Sequence, residues 1–300
     1  DFRELGPIFS SSILKDVKFR YIPFAIGGYH ANKALDEAAD AFLKGMRVST
    51  LNSLELCNTP PVFTSKILGS LGTEPSIKAG DVYRNDLKYL NINNCDFRSK
   101  DADKPLGAVI MRSSKLETLK FHCDSNHSMG SLELPYTFWG ALAASANNGS
   151  NLTHLEVRGM DGFYTHSMGI VSRALSMHPI QTLKIDPPLN IGHIGLFSTR
   201  LGYPHFSPNA TDENYMFWDA FRLSNMKSLK KLTIFRSNGQ QPILYESLQS
   251  TLMEHPYVEY DGPYKEQLDQ DRMRFDPPNN HRNNNRPSAV PGGTLFDPPN

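Results

Sequence analysis

Residues 86–95 read DLKYLNINNC. Leu87, Leu90 and Ile92 space their apolar side chains as L-x-x-L-x-I, and Cys95 closes the stretch. Alone, such alternation describes one half-buried strand. The same spacing recurs, however. LNSLEL begins at Leu51, LETLKF at Leu116, LTHLEV at Leu152, IQTLKI at Ile180 and LKKLTI at Leu229. Weaker copies flank them: LKDVKF from Leu14, and HPYVEY, which ends at Tyr260. The good copies start 36, 29, 36, 28 and 49 residues apart. Such a period marks a repeat array, because one unit has an apolar face that it cannot bury without a neighbour.

The intervals carry helical patterns. Residues 32–46 place Leu35, Ala38, Ala39, Phe42 and Leu43 on one face, with Asn32 as N-cap. Residues 135–146, 166–177, 214–223 and 244–254 also read as helices. Two of them run into MHPI (177–180) and EHPY (254–257), where proline ends the helix and favours an extended exit. Strand, turn, helix and turn then repeat from residue 1 to 261 as one α/β solenoid with a parallel sheet. Residues 186–213, rich in Pro and Gly, lengthen one unit and read as an inserted loop. Residues 262–300 lose the periodicity and read as a disordered Pro/Asn-rich tail, in which FDPPN occurs at 275–279 and 296–300.

DLKYLNINNC resembles the leucine-rich repeat, whose signature L-x-x-L-x-L-x-x-N/C it matches through Cys95. The resemblance covers about residues 14–260. It departs at the N/C slot in most copies: Cys123 comes one residue early, and Met160 stands there after LTHLEV. The long units with helical segments are similar to the ribonuclease-inhibitor-like branch. That implies a horseshoe with a concave parallel sheet and convex helices. Irregular repeats of this kind resemble the substrate-holding region of fungal F-box proteins. The resemblance implies a non-catalytic, intracellular (cytoplasmic or nuclear) adaptor of a ubiquitin ligase. No F-box pattern occurs in residues 1–50, and the chain begins with Asp, as a trimmed or processed chain does, so that role requires an F-box before Asp1. The alternatives are a stand-alone interaction scaffold, or a small-ligand or hydrolytic protein using 186–213 as a lid.

Strand side chains alternate, so residues between the apolar anchors form lanes on the opposite face. The early lane reads Ser53, Tyr89, Thr118, His154, Thr182, Lys231. The central lane reads Glu55, Asn91, Lys120, Glu156, Lys184, Thr233. The late lane reads Cys57, Asn93, His122, Arg158, Asp186, Phe235. Glu156 is expected between Lys120 and Lys184, and Arg158 near Asp186, with Tyr89 and Phe235 as aromatic ends. The expected partner-binding face is Tyr89, Asn91, Asn93, Lys120, His122, His154, Glu156, Arg158, Lys184 and Phe235.

Other chemistries lack a pattern. Lys and Arg total 31, as do Asp and Glu, so no global charge favours nucleic acid or an anionic membrane. No apolar run approaches the roughly 18 residues of a membrane span. Cys57, Cys95, His122, Cys123 and His127 cluster in sequence, but without CxxC or HxxxH spacing, so no metal is expected. Cys95 is expected as a small buried residue. No nucleophile elbow, P-loop, dinucleotide fingerprint or HExxH motif occurs, so neither a cofactor nor catalysis is expected.

Overall fold

The computed structural model describes residues 15–20, 51–72, 86–95, 97, 103–122, 134–158, 168–185, 226–235, 248–249, 252–253 and 255–275. The predicted helices 32–46 and 214–223, the loop 186–213, residues 276–300, Cys123 and His127 lie outside them. Residues 1–264 form one compact unit and 265–300 a second.

The first unit is α/β, with an open, all-parallel sheet of eight strands in sequential order. The elements run β1 (Asp16–Arg20), β2 (Ser53–Cys57), α1 (Pro61–Gly72), β3 (Tyr89–Asn93), α2 (Asp103–Arg112) and β4 (Thr118–His122). They continue as α3 (Leu134–Asn147), β5 (His154–Arg158), α4 (Met168–Met177), β6 (Thr182–Ile185), β7 (Lys231–Ile234) and β8 (Glu259–Asp261). Helices α1 to α4 pack in chain order, each against the next.

Register comes from a backbone device that recurs along the sheet. The carbonyls of Lys15, Asn52, Lys88, Glu117, Thr153 and Gln181 each precede a strand. Each accepts two consecutive N–H groups from the following unit, at 2.7–3.1 Å. Both lone pairs of the oxygen are used, and the next strand has one starting point. The apolar positions consequently stack like on like. Leu54, Leu90, Leu119, Leu155, Leu183 and Leu232 form one row, none more than 1% exposed. Leu56, Ile92, Phe121, Val157, Ile185 and Ile234 form the next row, also buried. Each such side chain contributes about 1.5–3 kcal/mol of burial. An aromatic chain ties sheet to helix: Phe97, Phe121, Phe138 and Trp139 stand 5.2–5.5 Å apart, centroid to centroid.

Strand exits repeat as well. Asn58 and Asn94 follow β2 and β3 with φ of 52° and 51°. Their N–H groups continue the ladder to Asn93 and His122 carbonyls at 2.9 and 2.7 Å. Asparagine tolerates this left-handed conformation better than most residues. One residue further on, Thr59 and Cys95 occupy the N/C slot. The Cys95 Sγ lies 3.1 Å from Thr59 Oγ1 and donates to the Leu56 carbonyl at 3.4 Å. Cys95 is 1% exposed, a packing residue that also satisfies a neighbour's backbone.

Three details differ from the sequence reading. It assigns no helix to α1 or α2, yet Phe63, Ile67, Leu68 and Leu71, and Leu106, Val109 and Ile110, are buried at helical spacing. It aligns Val258 and Tyr260 with the fourth and sixth repeat positions, whereas Tyr260 pairs with Leu232 and so fills the fourth. Extending that register puts Gly262 in the sixth, where a Cβ would sit 2.9 Å from the Ile234 carbonyl oxygen. Finally, residues 265–275, within the expected tail, form α5 (Lys265–Phe275), with Glu266 in its first turn and Arg272 and Arg274 in its last. That charge order complements the helix dipole.

The predicted helices 135–146 and 166–177 appear as α3 and α4. Helix α3 ends in a Schellman arrangement: Gly149 takes φ of 82°, its N–H donates to Ala146, and Ser150 N–H donates to Ser145. After α4, the His178 imidazole is buried against this end. Its Nε2 donates to the Leu142 carbonyl at 2.8 Å and lies 3.4 Å from Ser145 Oγ. Burial lowers the His178 pKa, against the opposing pull of Leu142 and Ser150 backbone groups.

Two outcomes follow from these geometries. Asn94 has an exposed side chain, so Asn94→Ala isolates backbone strain and should cost about 1 kcal/mol in urea denaturation, while Asn94→Gly stays near wild type. His178 is held neutral when folded, so the unfolded chain binds the extra proton first. Stability is therefore full above the ordinary histidine pKa of about 6.5 and falls as pH drops below it, towards the lower folded value. Urea midpoints from pH 7.5 to 5.5 should fall less steeply for His178→Gln than for wild type.

Candidate functional site

The alternation that buries the leucine rows turns the intervening residues to the other face. Burial patterns of β3, β4 and β5 read intermediate or exposed at every such position. The register brings them into three lanes. Tyr89, Thr118, His154, Thr182 and Lys231 pair in sequence along the early lane. Asn91, Lys120, Glu156, Lys184 and Thr233 form the central lane, preceded by Lys18 and Glu55. Asn93, His122 and Arg158 form the late lane, which Phe235, just past β7, extends. All ten residues expected on this face are thus aligned on it. Asp186 lies outside the described residues.

The contacts among them differ from simple charge alternation. Glu156 meets Lys184 at 3.6 Å. Lys120, its other lane neighbour, instead sits over the Tyr89 ring, Nζ 5.6 Å from the centroid. The Arg158 guanidinium lies 3.9 Å from the Phe235 centroid, reaching across the end of β6. Cation–aromatic contacts of this kind contribute about 0.5–1 kcal/mol at exposed sites. Towards β1, Glu55 pairs with Lys18 and, at 3.7 Å, with Arg20. Its partial burial pushes the carboxyl pKa up, but the hydrogen bonds from Lys18 and Cys57 and the two cations outweigh this and hold it below the usual value. Towards β8, Lys231 meets Glu259 at 2.6 Å, and that hydrogen bond raises the lysine's pKa. Asn93 carries a buried Oδ1 with no hydrogen-bond partner among the described residues.

His122 and His154 stand on neighbouring strands but in the late and early lanes. Four residues along the strand separate them by about 13 Å, too far to exchange a proton directly. Among the described residues, no three His, Cys, Asp or Glu side chains group as metal ligands. No helix among them is long and apolar enough to cross a membrane. An open depression at the strand entries, lined by Gln181, Met226, Lys230, His255, Tyr257 and Val258 among others, has no carboxylate in its lining among the described residues.

Cys57 ends β2 with its thiol donating to Glu55 Oε1 at 3.2 Å. Burial, then the Glu55 hydrogen bond and charge, pushes the thiol up to about 11. Iodoacetamide should therefore modify Cys57 slowly at pH 8 and increasingly towards pH 11. Glu55→Gln should accelerate the reaction at any fixed pH, as read by peptide mass mapping. An unchanged rate would assign the inertness to burial alone.

No protein-family model matches the chain, and no curated protein matches it.

Proposed function

We propose that this chain is a leucine-rich-repeat-type solenoid that binds protein on its exposed sheet face without catalysis. The observation that carries this reading is the alignment of three polar lanes, in register across successive parallel strands, all half open to solvent. A repeat sheet of this kind offers a partner a continuous surface whose side chains are held by backbone geometry. Its composition supports the reading too. Tyr89 and Arg158 are of the residue types that dominate interface energetics. The narrower form of the proposal is substrate recognition in an F-box-type ubiquitin-ligase adaptor, intracellular, with the ligase-recruiting segment encoded before Asp1.

Affinity purification of the intact protein, with and without proteasome inhibition, tests both levels. Proteins recovered with wild type should be depleted more than about tenfold by combined Tyr89→Ala and Phe235→Ala, with the thermal melt retained. An unchanged set would move binding off this face. Recovery of ligase subunits that persists in the double variant supports the adaptor. Their absence leaves the stand-alone scaffold.

A further inference from the structure

The two ends of the sheet face differ in charge from its middle. β1 and β2 present Asp16, Lys18, Arg20 and Glu55, a balanced set in which Glu55 contacts both cations. β7 and β8 present Lys231, Glu259 and Asp261, an acidic excess. Between them, β4, β5 and β6 present Lys120, Arg158 and Lys184 against Glu156 alone among the described residues. Counting Asp186, next in the late lane by sequence, still leaves this middle positive. Lys184 answers Glu156, and among the described residues Lys120 makes no ion pair, its contact being the Tyr89 ring. A chain that is neutral overall thus carries a local cationic stretch framed by two aromatic rings.

We infer that this stretch docks an acidic peptide segment carrying an apolar or aromatic residue near each end. The inference rests on the binding face proposed above and names its ligand. Tyr89 in β3 and Phe235 after β7 are four strand spacings apart and lie in opposite outer lanes. Those offsets place them about 23 Å apart, the span of about seven extended residues. Carboxylates in the middle of such a segment meet Lys120, Arg158 and Lys184, while its ends meet the rings. The cations set the encounter rate and the choice of partner, and the rings anchor it.

The test is selection of a displayed random 12-residue peptide library on the immobilised full chain, with Lys120→Glu/Arg158→Glu as counter-target. Enriched peptides should carry more Asp and Glu than Lys and Arg. Synthesised singly, they should bind the variant at least about tenfold more weakly and lose affinity as salt rises. A matching thermal melt of the variant shows that the fold is intact. Enrichment of apolar or basic peptides that the variant binds equally overturns the acidic ligand but leaves a protein-binding face. Failure of every peptide to enrich, with no protein recovered by affinity purification, removes the face itself. Binding of heparin or RNA lost in the variant, without peptide enrichment, assigns the cations to polyanions instead and overturns the proposal.

Discussion

A single carbonyl oxygen at the entry of each strand from β1 to β6, shared between two N–H groups of the next unit, governs the arrangement of the sheet. It fixes where each strand begins relative to its neighbour, whatever the chain does in between. Intervals of 28 and 49 residues therefore lead to the same register. Lengthening a connection costs little, since loop-closure entropy grows only with the logarithm of length. Slipping the register by one residue would turn every leucine of the row to solvent. The apolar rows and the backbone device thus reinforce each other, and the polar lanes on the opposite face are a geometric by-product of both.

That by-product is where the strands differ from one another. The core rows vary little in character: the first is leucine throughout β2 to β7, and in the second Leu, Ile, Val and Phe occupy equivalent positions. The lanes vary more. Glu55 gathers two cations, Lys120 and Arg158 each take an aromatic ring, and Glu156 takes Lys184. Exposed pairs of this sort contribute little to stability. Their consequence is a surface whose charge varies from strand to strand on a backbone that hardly varies.

The strand rows and lane neighbours were legible in the sequence because a three-position apolar pattern, repeated six times, carries its own alignment. Where the pattern was weak, the alignment slipped. HPYVEY looks like another copy, but Tyr260 fills the fourth position and the sixth holds Gly262, which no apolar search detects. Helices α1 and α2 left a signal in Phe63, Ile67, Leu68 and Leu71 and in Leu106, Val109 and Ile110. Pro61 and Pro105 stand in the first turns of these helices, where proline fits. The cation–aromatic contacts were not legible. They depend on side chains leaning diagonally, in one case past an intervening strand, and sequence spacing carries no rotamer.

The strictly sequential strand order has a kinetic meaning. Parallel sheets usually fold slowly, because their pairings join distant parts of the chain. Here every strand pairs only with its predecessor and successor, so no pairing spans much more than one unit. Each adjacent pair can serve as a nucleus, and growth proceeds by adding units at either side. A sheet whose hydrogen bonds all join separate units is thereby divided into steps that are each nearly local.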